Sequence, residues 1–335
     1  MNSLSFIREY LSIQKKHREY RKYVVPFIEK NKGNVSEPDL SRTISVFSNP
    51  RGGSTWLSDL FSTLPDSTVI WEPMNIQSPY PELQHVSFCW NQFIPEEENW
   101  PEAEQFFKKL YGKKIEAFRL YAVNKKVKRI PAANYFIFKF VGANMFIPWL
   151  TKRMNIRPVY MVRHPCAVIA SQLRYRHLFD DVIKNPRNSF PRGRYNDELL
   201  ELYKDIFDKV NTPEERLAAE WAITNVIPIA NPANDLRWIT VSYERLYKCP
   251  EVEINRMFGR LKIAPPEDIY SLVRKASSTA INKSSGSISS GKQLDSWRNQ
   301  LSSRQISSIL SITKEFGADF YDDSSDPDYS RIYRC

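Results

Sequence analysis

The sequence predicts an α/β fold of three layers, a mainly parallel sheet with helices on both faces. Three observations predict it. Five short runs rich in β-branched and aromatic residues recur along the chain, each followed by a helix-like segment, and that alternation builds parallel sheets. The first run, with Thr43, Ile44, Val46 and Phe47, breaks at Pro50-Arg-Gly-Gly53 straight into the amphipathic stretch Ser54-Thr-Trp-Leu-Ser-Asp-Leu-Phe61. The chain has 335 residues, 42% of them hydrophobic, enough to bury the core of one large α/β domain or two small ones.

Taken in order, residues 4 to about 30 read as a basic helix, with Phe6, Ile7, Tyr10, Leu11 and Ile13 on one side and lysines and arginines elsewhere. Such a helix either packs on the domain surface or touches a membrane surface or partner. Asn31 to Pro38 is a turn-rich linker, so residues 1–42 form an N-terminal helix and linker before a main domain over 43–316. The second strand is Thr68-Val-Ile-Trp71, ending at Glu72-Pro73. Residues 74–101 are rich in Pro, Trp, Phe and Gln without sustained periodicity, which suits a binding loop or lid, and a short helix over 102–111 and a basic stretch to Arg129 follow. Residues 74–131 are therefore expected to form a substrate or lid insertion.

Asn134–Val141 is the third strand, and a helix over 143–154 starts or kinks at Pro148. Ile156–Arg163 is the fourth strand, and Pro165 suits the first turn of a helix reaching about Phe179. The polar stretch 180–212 reads as a second insertion, part helix and part loop. A helix over Pro213–Asn225, a fifth strand over Leu236–Tyr243, and helices from Pro250, Glu267 and Ser302 complete the domain. The tail, 317–335, is expected to be partly frayed.

Composition narrows the functional classes. A formal charge of +10 favours an anionic partner, whether nucleic acid, a membrane surface or a phosphorylated cofactor. Cys89, Cys166, Cys249 and Cys335 are scattered and have no zinc-spaced partners, so neither a disulfide framework nor a metal site is expected. No apolar run is long enough to span a bilayer, and the first residues lack a signal-peptide core, so a soluble cytoplasmic protein is expected.

The glycine turn carries the chemistry. Between a strand and a helix it presents several backbone N–H groups at the positive end of a helix dipole, a site for phosphate or sulfate. It is not the usual nucleoside-triphosphate loop, because the G-x-x-x-x-G-K-[S/T] spacing is absent and the basic residue, Arg51, precedes the glycines. A second constellation lies about 110 residues on: Arg163 at the carboxyl end of a strand, then Ser171 two helical turns into the next helix and Arg174 one turn further. An arginine fork with a hydroxyl can grip a terminal phosphate.

With these motifs the chain resembles the sulfotransferases that take sulfate from 3′-phosphoadenosine 5′-phosphosulfate (PAPS), leaving the product PAP, and its motif style is nearest the carbohydrate type. The resemblance covers roughly residues 43–315 and implies a P-loop NTPase-like fold. Carried over by residue, it implies donor contacts from Arg51, Gly52, Gly53, Ser54, Thr55 and Trp56 at the 5′ end, with Trp56 near the adenine or else an ordinary core tryptophan. It implies Arg163 and Ser171 at the 3′-phosphate, and Tyr243 near the adenine or in the core. Arg51 stands where many members have lysine; as a permanent cation it would help by charge and not as an acid. The Ser/Gly-rich stretch before Trp297 resembles the family's donor-covering loop without its Arg-Lys-Gly triplet, which leaves Lys283, Ser285 and Lys292 as candidate 3′-phosphate contacts.

None of the four histidines stands in the Lys-Thr-His type of motif that supplies a base in the phenol and steroid branch. In the matching strand, Ile137-Phe-Lys-Phe-Val141, Lys139 matches the lysine, as an acceptor contact, and no histidine follows. Glu72-Pro73 instead resembles the Glu-Pro of carbohydrate sulfotransferases and implies Glu72 as the base. The acceptor is then a small molecule or a carbohydrate, with Trp, Tyr and Asn of 74–100 suited to a sugar. Two alternatives stay open: a P-loop kinase using ATP and magnesium, and a non-enzymatic basic protein for nucleic acid or membrane surfaces. No nucleic-acid fold motif supports the latter.

Overall fold

The structure is a computed structural model that describes residues 18–33, 37–76, 80–115, 127–175, 184, 190–273 and 294–333. Five strands form one parallel sheet: β1 (Thr43–Ser48), β2 (Ser67–Trp71), β3 (Tyr135–Val141), β4 (Val159–Val162) and β5 (Ile239–Ser242), in the order β2-β3-β1-β4-β5. The register places Val46 beside Lys139 on one side and Val159 on the other. β1 is thus where the chain turns from building one half of the sheet to the other, and ligands of such sheets bind at the carboxyl ends near that point.

Period-two alternation divides the strands between two cores. Ile44, Val46, Val69, Ile137, Val159, Met161, Ile239 and Val241 face one layer, formed by α2 (Ser54–Phe61), α10 (Tyr243–Lys248) and α11 (Pro250–Leu261). Phe47, Ile70, Phe136, Phe138, Phe140, Tyr160 and Val162 face the other and larger layer. That layer holds α3 (Pro81–Val86), α4 (Pro101–Tyr111), α5 (Ile147–Arg153), α6 (Pro165–Arg174), α9 (Pro213–Ala230) and α13 (Ser303–Glu315). α1 (Val25–Lys32), α7 (Asn196–Leu202), α8 (Lys204–Phe207), α12 (Ile269–Leu272) and α14 (Tyr329–Ile332) complete the α-helices of the described residues. The expected three-layer α/β architecture is the one observed.

The differences from the sequence reading have local causes. β4 begins after Pro158, which has no N–H to give the ladder, and β5 begins after a turn in which Leu236 and Arg237 both donate to the Ala233 carbonyl. The stretch 74–101 contains α3, and Tyr80, Phe88, Ile94 and Trp100 are buried in the larger core, so most of this segment is wall and not open loop. Pro148 does not kink the 143–154 helix: a 3₁₀ turn over Asn144–Phe146 leads into α5, and the proline sits in its first turn. The 180–212 stretch contributes α7 and α8, and residues 176–183 and 185–189 lie outside the described residues.

The tail is a correction. Residues 317–333 are not frayed, since Phe320, Tyr321, Ile332 and Tyr333 are buried. The Tyr321 hydroxyl donates to the Glu244 carboxylate at 2.8 Å, and the Tyr333 hydroxyl accepts from the Ser242 amide at 2.9 Å. Of the N-terminal helix, residues 1–17 lie outside the described residues. The remainder packs on the domain through Tyr20, Val24 and Ile28, one turn apart, which favours the packed reading of that helix.

Candidate active site

The loop after β1 is shaped by contacts that leave no room for side chains at its glycines. The Gly52 amide closes a turn onto the Asn49 carbonyl at 2.9 Å, and a Cβ at Gly52 would lie 2.2 Å from Ser48 Oγ. Gly53 has φ +107°, and a Cβ there would meet Met161 Sδ at 2.6 Å and the Tyr243 ring at 2.8 Å. Gly53 is the N-cap of α2 and has no side chain to cap it. The first N–H groups of α2 therefore have neither an intrahelical partner nor a side-chain cap, which is the condition for holding an anion. Ser54 is buried in that first turn and Thr55 is half-exposed beside it.

Buried polar groups hold the loop from below. Asn49 donates to Thr224 Oγ1 at 2.7 Å and accepts from Asn144 at 3.1 Å, and Gln172 donates to the Pro50 carbonyl at 3.0 Å. Because Thr224 lies on α9 and Gln172 on α6, two helices of the larger layer fix the loop's height. Only one feature of the sequence signals these residues: Thr224 and Asn225 interrupt an otherwise apolar stretch of α9.

Above the loop the two motifs meet. Arg51 Nε donates to Ser171 Oγ at 3.1 Å, and its guanidinium lies 4.0 Å from the Tyr175 ring centroid. Arg163 lies 4.1 Å above the Tyr243 ring, with Nη1 3.4 Å from the Arg51 carbonyl, and its own carbonyl accepts from Trp221 Nε1 at 3.1 Å. Arg174 is turned aside and donates to Gln300. Arg51, Gly53, Arg163, Ser171 and Tyr243 thus converge from the carboxyl ends of β1, β4 and β5, two of them cations with no carboxylate partner among the described residues. Tyr175 was not visible in the sequence as a member of this group.

Trp56 and Tyr243 take the core alternatives weighed for them. Trp56 is 4% exposed and packs on Tyr243 with ring centroids 4.9 Å apart, although its Nε1 has no partner among the described residues. Tyr243 is buried too, but its ring face carries Arg163, so it still shapes the site. Lys283, Ser285 and Lys292 lie outside the described residues.

At the far side of β3, Glu72 terminates β2 in a left-handed conformation, φ +49°, with its amide donating to the Lys139 carbonyl at 2.8 Å. Lys139 Nζ reaches Glu72 Oε1 at 2.6 Å and lies 3.6 Å above the Trp71 ring. Lys139 is only 2% exposed, so the expected acceptor contact is corrected: its ammonium is spent on Glu72 and Trp71. Glu72 follows β2, which lies two strands from β1 in the sheet, about 10 Å across, so it stands on the same carboxyl side of the sheet as the loop.

Trp90 borders the same space. It is half-buried, its ring lies against Gly142 at the end of β3, and its Nε1 points to Glu220 at 3.4 Å. His164, next to Arg163, is no base: its Nδ1 caps α6 by accepting from the Cys166 amide, its Nε2 donates to the Asp322 carbonyl, and its ring stacks on Trp297 at 4.7 Å. Burial pushes the His164 pKa down to about 4, so the ring is neutral. Among the described residues no cluster of His, Cys, Asp and Glu could hold a metal ion, and no helix is long and apolar enough to cross a membrane.

The sequence matches the sulfotransferase domain family over residues 41–320. No curated protein matches it. Among solved structures it is similar to the sulfotransferase domain from the Synechococcus PCC 7002 olefin synthase, at 17% identity and a TM-score of 0.44, covering 88% of this chain and 98% of that one. The sulfotransferase domain from the curacin biosynthetic pathway is 15% identical with a TM-score of 0.42, covering 82% of this chain and 96% of that one. A mouse sulfotransferase, SULT7A1, complexed with PAP, is 14% identical with a TM-score of 0.39, covering 87% and 88%.

Proposed function

The chain belongs to the sulfotransferase family, a PAPS-dependent enzyme, and on that premise we propose that its acceptor is a carbohydrate hydroxyl and that Glu72 takes the proton from it. Membership sets aside the ATP-dependent kinase and the non-enzymatic basic protein. The observation that carries the site assignment is the convergence of Arg51, Ser171 and Arg163 around the uncapped start of α2. These residues fit a donor with an anion at each end: N–H groups of residues 53–56 for the 5′-phosphate, and Arg163 with Ser171 for the 3′-phosphate.

PAPS supplies the sulfuryl group when bound. Glu72 accepts the acceptor's proton as the hydroxyl oxygen bonds to sulfur and the sulfur–phosphate oxygen bond breaks, and Arg51 stabilises the charge left on that oxygen. Lys139 fixes the Glu72 carboxylate through its 2.6 Å contact. The carbohydrate reading rests on Glu72-Pro73 and on Trp90, since Tyr80, Phe88 and Trp100 of the same segment are buried and take no part in stacking on a sugar.

Transfer of radiolabelled sulfate across sugars, phenols, lipids and peptides tests the acceptor. Label on a saccharide is the expected result, and label only on a phenol or alcohol refutes the carbohydrate assignment. Titration with PAP tests the donor site independently: without saturable binding the assignment of the loop falls.

A further inference from the structure

A cavity of about 340 Å³ opens at the amino ends of the strands, opposite the donor loop. Its walls come from the start of β1, the approaches to β4 and β5, and the turn that ends α11. It lies one strand length from the donor loop, about 20 Å, and shares no residue with it. The volume falls within the range of small-molecule sites.

Its lining has two characters. Ile44, Ile156, Leu236 and Ile263 make an aliphatic wall, and Leu236 is 60% exposed at the rim, one of few large apolar side chains so open to solvent among the described residues. Four cations also line the cavity, and two are already neutralised: Arg237 by Glu96 at 2.6 Å and Arg260 by Asp235. The other two are not. Arg157 spends one N–H on the Arg260 carbonyl at 2.9 Å and has no carboxylate partner, and the Lys262 ammonium has no hydrogen-bond or ion-pair partner, among the described residues. No carboxylate lines the cavity.

We propose that this cavity binds a small amphipathic anion, its head between Arg157 and Lys262 and its apolar body along Ile44, Ile156 and Leu236. Two unpaired cations beside an aliphatic wall match a single carboxylate or phosphate on a short chain or ring, and match neither a neutral solute nor a cation.

The test is isothermal titration of the full chain, held with saturating PAP, using octanoate, octyl phosphate and octanol as probes. One-to-one binding of octanoate or octyl phosphate, weakened at least about tenfold for octanol and for the double variant Arg157→Gln/Lys262→Gln, is expected from the loss of charge-assisted bonds. The two anionic arms separate carboxylate from phosphate recognition. Both substituted side chains are exposed, and unchanged PAP affinity certifies the variant's fold; if PAP affinity falls, Lys262→Gln alone is titrated. Absence of saturable binding, competition by PAP, equal binding of octanol, or indifference to the substitutions overturns the proposal.

Discussion

Replacing Glu72 by glutamine separates its chemical role from its structural one. The substitution keeps the side chain's shape and an oxygen that still accepts from Lys139 Nζ, now 2.6 Å from Oε1, but removes the charge. Removing one partner of a fully buried ion pair costs about 3–5 kcal/mol. Here Lys139 is buried while the Glu72 side chain is 26% exposed, so water and the Trp71 face 3.6 Å away offset part of that loss. About 1–3 kcal/mol remains, which for a chain of 335 residues lowers Tm by roughly 1–4 °C. The catalytic loss is of another size. A general base contributes about 10²–10⁴-fold, or roughly 3–5 kcal/mol in the barrier. Because Glu72 follows β2, two strands away from the β1 that leads into the loop, PAP affinity is expected to change by less than about threefold. Sulfate-transfer kinetics, PAP titration and a thermal melt on one preparation decide the matter. Turnover within about fivefold of the parent clears Glu72 of the base role, and a fall in PAP affinity equal to the fall in turnover makes its role structural.

Other expectations follow from the same geometry. Arg163→Ala removes the cation over Tyr243 and is expected to weaken PAP binding by roughly 10–100-fold, one charge-assisted hydrogen bond or two; titration with PAP reads this directly, and unaltered affinity would remove Arg163 from the site. Gly53→Ala is strained twice, by φ +107° and by contacts of 2.6 and 2.8 Å, so it should cost about 1–3 kcal/mol or more in a denaturant titration and abolish PAP binding. His164 gives a pH signature. Its folded pKa, about 4, lies below the unfolded value of 6.5, so the unfolded chain binds the proton first. Its contribution is intact above about pH 6.5, is lost progressively as pH falls towards 4, and levels off below, a total on the order of 3 kcal/mol. Chemical denaturation between pH 4 and 7 should show that slope in the parent and a flatter one in His164→Asn; parallel slopes would assign the pH response to other groups.

The motifs of the site were legible because each is local. Strand, Gly-Gly turn and helix occupy residues 43–61, and Arg163 and Ser171 are fixed relative to each other by one strand end and two helical turns. Where the reading went astray, the partner was distant in sequence. Lys139 looked free to meet an acceptor until Glu72, 67 residues earlier, was brought beside it by the β2–β3 register. The aromatics of 74–101 looked like a binding surface because part of their cover, Phe146 against Phe88 and Tyr195 against Trp100, comes from elsewhere in the chain.

By itself the sequence determined the layered α/β class and the position of the loop, and named the residues proposed to hold an anion there, because hydrophobic period, turn chemistry and helix starts are set within a few residues. Only the tertiary structure decided how that loop is held and what stands around it. Asn49 meets Thr224 across 175 positions, Arg51 meets Ser171 across 120, and the tail returns through Tyr321 to Glu244 and through Tyr333 to Ser242. Such pairings depend on the sheet order and on burial, which leaves a polar group in the core no partner except the one the fold brings to it.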